Sequence, residues 1–154
     1  MKTKTSLLTL VLCLAGGTLC FASPQMGTWK LNEGKSKFAP GTGKNTRVVY
    51  SDATGGKVKI TTVGVDANGA PTHGEWTGKF DGKDYPVMRD PTADMRSYTQ
   101  VDDRTLDFNV KKGGKITITG RVVVAADGKS RTVTTNGTTA KGKKFKNVAV
   151  FDKQ

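Results

Sequence analysis

Residues that build metal sites and nucleophilic sites are scarce in this sequence, whose 154 residues include two cysteines and one histidine. Both cysteines, Cys13 and Cys20, lie close to the N-terminus. A Ser/His/Asp triad would require His73, and no serine or aspartate is recognisably placed beside it. A single histidine does not make a zinc site without carboxylates, and the aspartates lack the spacing of a calcium loop. We therefore expect no catalytic residue, no metal, no cofactor and no enzyme activity.

Long apolar runs are also missing, except near the N-terminus. Lys2 and Lys4 precede the apolar residues 7–14, a stretch too short to span a bilayer. Small residues follow, and the pattern is typical of a secretory signal peptide cleaved after Ala22. A lipoprotein anchor at Cys20 is the competing interpretation. We predict an exported protein, periplasmic or secreted, whose mature part has no transmembrane segment and, without cysteine, no disulfide.

Acidic residues are few compared with basic ones. The sequence holds 25 Lys and Arg against 13 Asp and Glu, so the predicted mature chain keeps a net charge of about +10. Such a surface attracts anionic polymers and lipid headgroups through long-range, salt-dependent forces. The lysines are spread over turns and strand ends, where they also protect strand edges from aggregation. A solvated basic face and a site for acidic polymers of the cell envelope are both open interpretations, and no specific nucleic-acid binding is predicted.

Helical periodicity is nearly absent after residue 22. Short runs rich in Val, Ile, Thr, Phe and Tyr recur instead, at spacings near ten residues, between Gly, Asn, Asp and Lys. They predict ten strands near Met26–Asn32, Thr46–Ser51, Lys57–Val65, Thr72–Phe80, Lys83–Val87, Met95–Val101, Thr105–Lys111, Lys115–Ala125, Ser130–Asn136 and Lys146–Asp152. Turn dipeptides such as Gly113-Gly114 and Asp127-Gly128 accept positive φ and favour hairpins, hence antiparallel pairing.

These strands predict one all-β domain over residues 23–154. We expect an antiparallel up-and-down β-barrel of about eight to ten strands, because closure removes the exposed edges of a long open sheet. A β-sandwich is the alternative. Residues 32–44 are expected to form a loop with a helical turn around Gly34–Lys37. Alternation predicts that Ile116 shares one face of its strand with Ile118, Val122 and Val124.

A barrel of this size holds a small ligand in its mouth. Trp76, Phe80 and Phe108 are candidate lining residues. Arg96, Tyr98 and Gln100 alternate so that a cation, a phenol and an amide share one face. That face fits an anionic amphiphile if it points inward, and it is an ordinary solvated strand if it points outward. We take Trp76, Arg96, Tyr98 and Phe108 as candidate ligand-binding residues around a cavity of several hundred cubic ångströms.

The first predicted strand carries a recognisable motif. Its sequence, Gly27-Thr28-Trp29-Lys30-Leu31, resembles the Gly-x-Trp opening of lipocalins and, more closely, the opening strand of fatty-acid-binding proteins, both calycin barrels. The resemblance implies that Gly27 and Trp29 plug the closed end of the barrel, where an indole fills space well. It also implies that an arginine from a late strand, Arg121 or Arg131, packs over Trp29.

The predicted mature chain as a whole is similar to uncharacterised small exported bacterial proteins of lipocalin-like fold. The similarity rests on Trp29–Asn32, Ser36–Phe38, Asp81–Val87 and Asn147–Phe151. It implies a bacterial envelope location and transfers no functional residues. We expect a monomer that binds a small apolar or anionic amphiphilic ligand; the alternative is an envelope interaction protein whose basic surface binds acidic polymers.

Overall fold

Ten antiparallel strands close into one barrel in the computed structural model, which describes residues 23–139 and 141–154. The strands are β1 (Gly27–Lys37), β2 (Lys44–Ala53), β3 (Lys57–Val65), β4 (Pro71–Gly78), β5 (Tyr85–Met88), β6 (Met95–Asp102), β7 (Thr105–Lys112), β8 (Lys115–Val124), β9 (Ser130–Thr138) and β10 (Lys144–Lys153). Each strand pairs with its sequence neighbours, and β1 pairs with β10. The predicted up-and-down barrel is confirmed, and the sandwich is not the fold.

The predicted signal peptide falls on residues 1–22, which lie outside the described residues. Within residues 23–139 and 141–154, no helix is long and apolar enough to cross a membrane.

Tight turns occur at the predicted dipeptides. Gly113 and Gly114, which join β7 to β8, have φ values of 57° and 76°. A Cβ atom at either position would meet no other atom, so the backbone conformation and not the available space demands glycine. Two successive positive φ values are what a two-residue hairpin turn requires. The local sequence thus determines this hairpin.

The first strand is longer than predicted, because it contains a large bulge. Asn32 lies opposite Val150 and Lys37 opposite Val148, so four residues of β1 face a single residue of β10. The Ser36 hydroxyl accepts a hydrogen bond from the Val150 amide at 2.9 Å and donates one to the Asn32 carbonyl at 2.6 Å. This side chain replaces a missing ladder bond within the bulge. The predicted helical turn around Gly34–Lys37 is therefore wrong.

A second register shift moves Ile116 to the outside. Val110 lies opposite Ile118 and Lys111 opposite Ile116, which leaves Thr117 as an extra residue of β8. Cross-strand partners point to the same face, so Ile116 joins Lys111 and is 54% exposed. The predicted common face holds for Ile118, Val122 and Val124 and fails for Ile116.

One end of the barrel is sealed by Trp29, whose side chain is fully buried. Its indole N–H donates to the Gln25 carbonyl at 2.9 Å, and the Gln25 amide donates to the Arg104 carbonyl at 3.0 Å. The segment before β1 is thereby tied to the turn between β6 and β7. Gly27, with φ of 108°, lies where a Cβ atom would come within 3.1 Å of the Lys153 side chain.

At the opposite end, the buried side chain of Asn147 holds the connection between β1 and β2. Its carbonyl oxygen accepts from the Ala39 amide at 2.8 Å, and its amide donates to the Thr42 hydroxyl at 3.2 Å. Thr42 in turn donates to the Ala39 carbonyl at 2.7 Å. A buried side-chain amide therefore supplies hydrogen bonds to a connection that has few backbone partners.

Replacing Asn147 by alanine is expected to lower the free energy of unfolding by about 2 kcal/mol, because the half-buried Ala39 amide and Thr42 hydroxyl lose their hydrogen-bond partner. Urea denaturation measures this change. Asn136→Ala is the matched control, since Asn136 is an exposed amide on the neighbouring strand, and a shift below about 0.5 kcal/mol is expected there. Equal shifts for the two variants would contradict the assigned role of Asn147.

Candidate functional site

A cavity of about 130 Å³ lies inside the barrel. Its inner end is formed by Arg131, Tyr50 and Phe151, and its outer end by polar side chains that include Asn45 and Thr135. Aliphatic residues of β2, β3, β7, β8 and β9 complete the wall. The cavity thus joins a cationic inner end to apolar sides and a polar opening.

The cavity is smaller than the several hundred cubic ångströms expected from the sequence. An aromatic cluster fills the neighbouring part of the interior: the Trp76 ring stacks on Phe80 with centroids 6.3 Å apart and meets Tyr85 edge-on at 5.8 Å. Tyr98 packs against the same indole at 4.8 Å. Large rings in mutual contact leave little unfilled volume, which is the physical reason for the difference.

Three of the four predicted ligand-binding residues line the cavity: Arg96, Tyr98 and Phe108. Arg96 and Tyr98 of the predicted row therefore point inward, whereas Gln100 is exposed and Phe80 is not among the lining residues. Trp76 does not line the cavity; it is 1% exposed and lies behind the wall. Its indole N–H donates to the Arg96 carbonyl at 2.9 Å. Trp76 thus holds the backbone of Arg96 through this hydrogen bond. It contacts the cavity lining only where its ring packs against Tyr98.

Arg131 is the charged residue of the cavity that the sequence did not predict to line it. It is 2% exposed, and its Cζ atom lies 4.7 Å from the ring centroids of both Trp29 and Tyr50 and 5.2 Å from that of Phe151. Among the described residues no carboxylate pairs with it, and its Nε and Nη1 atoms have no hydrogen-bond partner. The sequence did hold an indication that Arg131 points inward. Residues two apart on a strand point to the same face, and the residue two positions after Arg131 is the apolar Val133.

The resemblance left open whether Arg121 or Arg131 packs over Trp29, and the structure places Arg131 there. Arg121 lies on the outer face, where its Nε and Nη2 atoms donate to the two carboxylate oxygens of Asp107 at 2.6 and 2.8 Å. The two arginines therefore have opposite environments: Arg121 is paired in solvent, and Arg131 lies in the interior with no carboxylate partner among the described residues.

Burial controls the ionisation of the inner end of the cavity. Desolvation lowers the pKa of Arg131 from its usual value, and desolvation also raises the pKa of the Tyr50 phenol well above its usual range. Tyr50 therefore stays neutral at ordinary pH and supplies no counter-charge to the guanidinium. The π faces of the surrounding rings stabilise the cation in its place.

Arg96 adds a second cation nearer the opening. Its side chain is 15% exposed, its Nη2 atom lies 4.0 Å from the Asp90 carboxylate, and its Nε atom has no hydrogen-bond partner among the described residues. Both Arg96 and Arg131 act on the Tyr50 phenol and lower its pKa, against the larger effect of burial. One neutral phenol thus lies within the electrostatic reach of two cations.

His73 lies away from this cavity. Its ring contacts the Glu75 carboxylate at 3.2 Å, and the same carboxylate lies 3.2 Å from Lys59 and 3.5 Å from Arg89. These contacts, led by His73 and Lys59, lower the pKa of Glu75. In the part of the chain that the structure describes, no group of three His, Cys, Asp or Glu is placed to hold a metal ion.

Comparison with known proteins yields structural similarities at low identity. No protein-family model matches the chain, and no curated protein matches it. A redesigned β-barrel is similar at a TM-score of 0.46 and 15% identity, over 86% of this chain and 93% of the other. Another redesigned β-barrel, mFAP1, bound to DFHBI, is similar at a TM-score of 0.43 and 18% identity, over 85% and 98%. The fold assignment rests on the strand pairing of this chain itself.

Proposed function

We propose that this protein binds a compact organic anion inside its barrel, with Arg131 and Arg96 as the groups that hold the negative charge. The unpaired guanidinium of Arg131 carries the proposal. Removing a charged group from water costs several kcal/mol unless partners compensate for the lost hydration. The three rings around Arg131 supply part of that compensation. A carboxylate in the cavity supplies the acceptors that Nε and Nη1 lack.

The volume of the cavity limits the size of this anion. About 130 Å³ is close to the roughly 150 Å³ of a cavity that accepts benzene, and it lies below the range of drug-sized sites, about 300–1,000 Å³. One ring or a short chain with one acidic group fits these dimensions. Tyr98 and Phe108 supply aromatic wall for such a ring. A long-chain fatty acid would have to displace side chains of the aromatic cluster.

The composition of the cavity wall supports binding and not catalysis. The wall is made of arginines, phenols, hydroxyls, an amide and apolar side chains. Arginine stays protonated in proteins, and the raised pKa of Tyr50 keeps its proton in place, so neither group is suited to proton transfer near neutral pH. We also propose that the protein is exported and lipocalin-like. This rests on the leader-like N-terminus and on the Gly-x-Trp motif with Arg131 over Trp29.

Calorimetric titration with three probes tests this function. Benzoate is expected to bind at least about tenfold more tightly than benzyl alcohol, its neutral counterpart, because a charge-assisted hydrogen bond adds about 1.5–3 kcal/mol. Palmitate is expected to bind more weakly than benzoate. Benzoate binding should also change tryptophan fluorescence, since Trp76 contacts the lining residue Tyr98.

Two results would contradict the proposal. Equal affinity for benzoate and benzyl alcohol would remove the role of the arginines, and tighter binding of palmitate would show that the site is not compact. Chloride at the same ionic strength is the control for unspecific screening of the basic surface.

A further inference from the structure

Near the turn between β9 and β10, the outer face of the barrel carries lysines that pair with no carboxylate among the described residues. Residues 108–151 contain ten Lys and Arg and one acid, Asp127. Of these ten, Lys111, Lys112 and Arg121 pair with acids outside this range, and Arg131 is buried inside the barrel. Asp127 lies in the turn between β8 and β9, at the opposite end of these strands from the turn between β9 and β10. The lysines around that second turn are Lys115, Lys141, Lys143, Lys144 and Lys146. All five are exposed, and none forms an ion pair with a described carboxylate.

A shallow groove of about 540 Å³ lies on this face, distinct from the interior cavity. It is lined by Lys144 and Lys146, by hydroxyl and amide side chains, by the apolar side chain of Ile116, and by residues Gly137 and Phe145. Ile116 reaches the outer face because of the register shift in β8 described above. The bulge therefore helps to shape this groove.

Strand register places the polar groups of the groove in a row. Thr119 lies opposite Asn136, and Asn136 lies opposite Lys146, so a hydroxyl, an amide and an ammonium cross three strands. Two inter-strand spacings make this row about 10 Å long. Hydrogen-bonding groups next to a cation match a polymer whose hydroxyls alternate with negative charges.

We propose that this groove binds a segment of an acidic polysaccharide. The lysines attract its carboxylate or sulfate groups, and Thr119 and Asn136 hydrogen-bond to its hydroxyls. Single-stranded nucleic acid is the poorer match, because such sites stack bases on exposed aromatic rings. The large exposed apolar side chains among the described residues are Val63, Met88, Val101, Ile116 and Val123, and none of them is aromatic.

Binding of fluorescently labelled polygalacturonate, measured by anisotropy at several salt concentrations, tests the proposal. The double variant Lys144→Gln/Lys146→Gln is expected to weaken binding about tenfold at low salt and to lower the slope of log Kd against log salt by about 2. The matched control is Lys79→Gln/Lys83→Gln, which removes the same charge from exposed positions in the connection between β4 and β5. The control should keep the affinity of the parent protein within about twofold.

A charge-neutral variant separates the groove from a diffuse basic surface. Asn136→Ala is expected to weaken polygalacturonate binding about threefold or more with the salt slope unchanged, because it removes a hydrogen bond and no cation. Neutral dextran and single-stranded oligothymidylate serve as comparison polymers. The proposal is overturned if the two lysine variants lose affinity equally, if polygalacturonate is not retained at low salt, or if oligothymidylate binds more tightly than polygalacturonate.

Discussion

Replacing Arg131 by methionine is expected to weaken benzoate binding by about tenfold to a hundredfold, with the free energy of unfolding changed by no more than about 1 kcal/mol. Methionine has similar length and fills the space among Trp29, Tyr50 and Phe151. The variant loses the cation–π contacts and the hydrogen-bond donors offered to a ligand. It no longer buries a charge without a carboxylate partner, and this gain offsets the loss of the cation–π contacts. Titration calorimetry and urea denaturation measure the two effects separately.

Arg121→Gln is the matched control for this experiment. It removes an arginine of the preceding strand, and that arginine is paired with Asp107 in solvent, so benzoate affinity should not change. Arg96→Gln offers a second test inside the cavity and should weaken benzoate binding without touching the stack over Trp29. If Arg131→Met destabilises the barrel strongly and leaves benzoate affinity intact, Arg131 is a structural plug and the proposed function fails.

Trp29→Ala is expected to lower the free energy of unfolding by about 4 kcal/mol, which is a large share of the 5–15 kcal/mol typical of a folded domain. The substitution leaves a cavity at the sealed end, frees the Gln25 carbonyl and removes one ring from Arg131. Chemical denaturation followed through the remaining indole, Trp76, measures the loss.

Two further variants make the role of Trp29 specific. Trp29→Phe keeps a ring over Arg131 and loses the hydrogen bond to Gln25, so an intermediate loss of about 2 kcal/mol is expected. Met88→Ala removes a large exposed side chain and should change stability by less than about 0.5 kcal/mol. A loss for Trp29→Ala no greater than that for Met88→Ala would show that the indole does not seal the barrel.

The interior cavity and the outer groove are separable sites. Arg131 lies inside the barrel, whereas Lys144 and Lys146 are exposed on its outer face. Arg131→Met should therefore leave polygalacturonate binding intact, and Lys144→Gln/Lys146→Gln should leave benzoate binding intact. A barrel offers this division because alternate residues of each strand face opposite sides of the wall.

Local sequence patterns determined much of the architecture. Period-two alternation and paired turn residues predicted ten strands, and strands such as Lys57–Val65 have the predicted bounds. Gly113-Gly114 specified its hairpin because few other residues adopt two successive positive φ values. The bulges escaped prediction, since the Ser36 hydroxyl acts in β1 only once β10 lies beside it.

The candidate site was predictable in part. Alternation placed Arg96, Tyr98 and Phe108 on single faces of their strands, and the structure shows that those faces line the cavity. Closure of the barrel decided the rest, because it brings side chains from distant strands across the interior into contact. Only that contact packs Trp76 behind the wall and limits the cavity to about 130 Å³. It also surrounds Arg131 with three rings and, in the part of the chain that the structure describes, with no carboxylate. A strand's own sequence sets the direction of each side chain, and the partners it meets depend on the strands that face it.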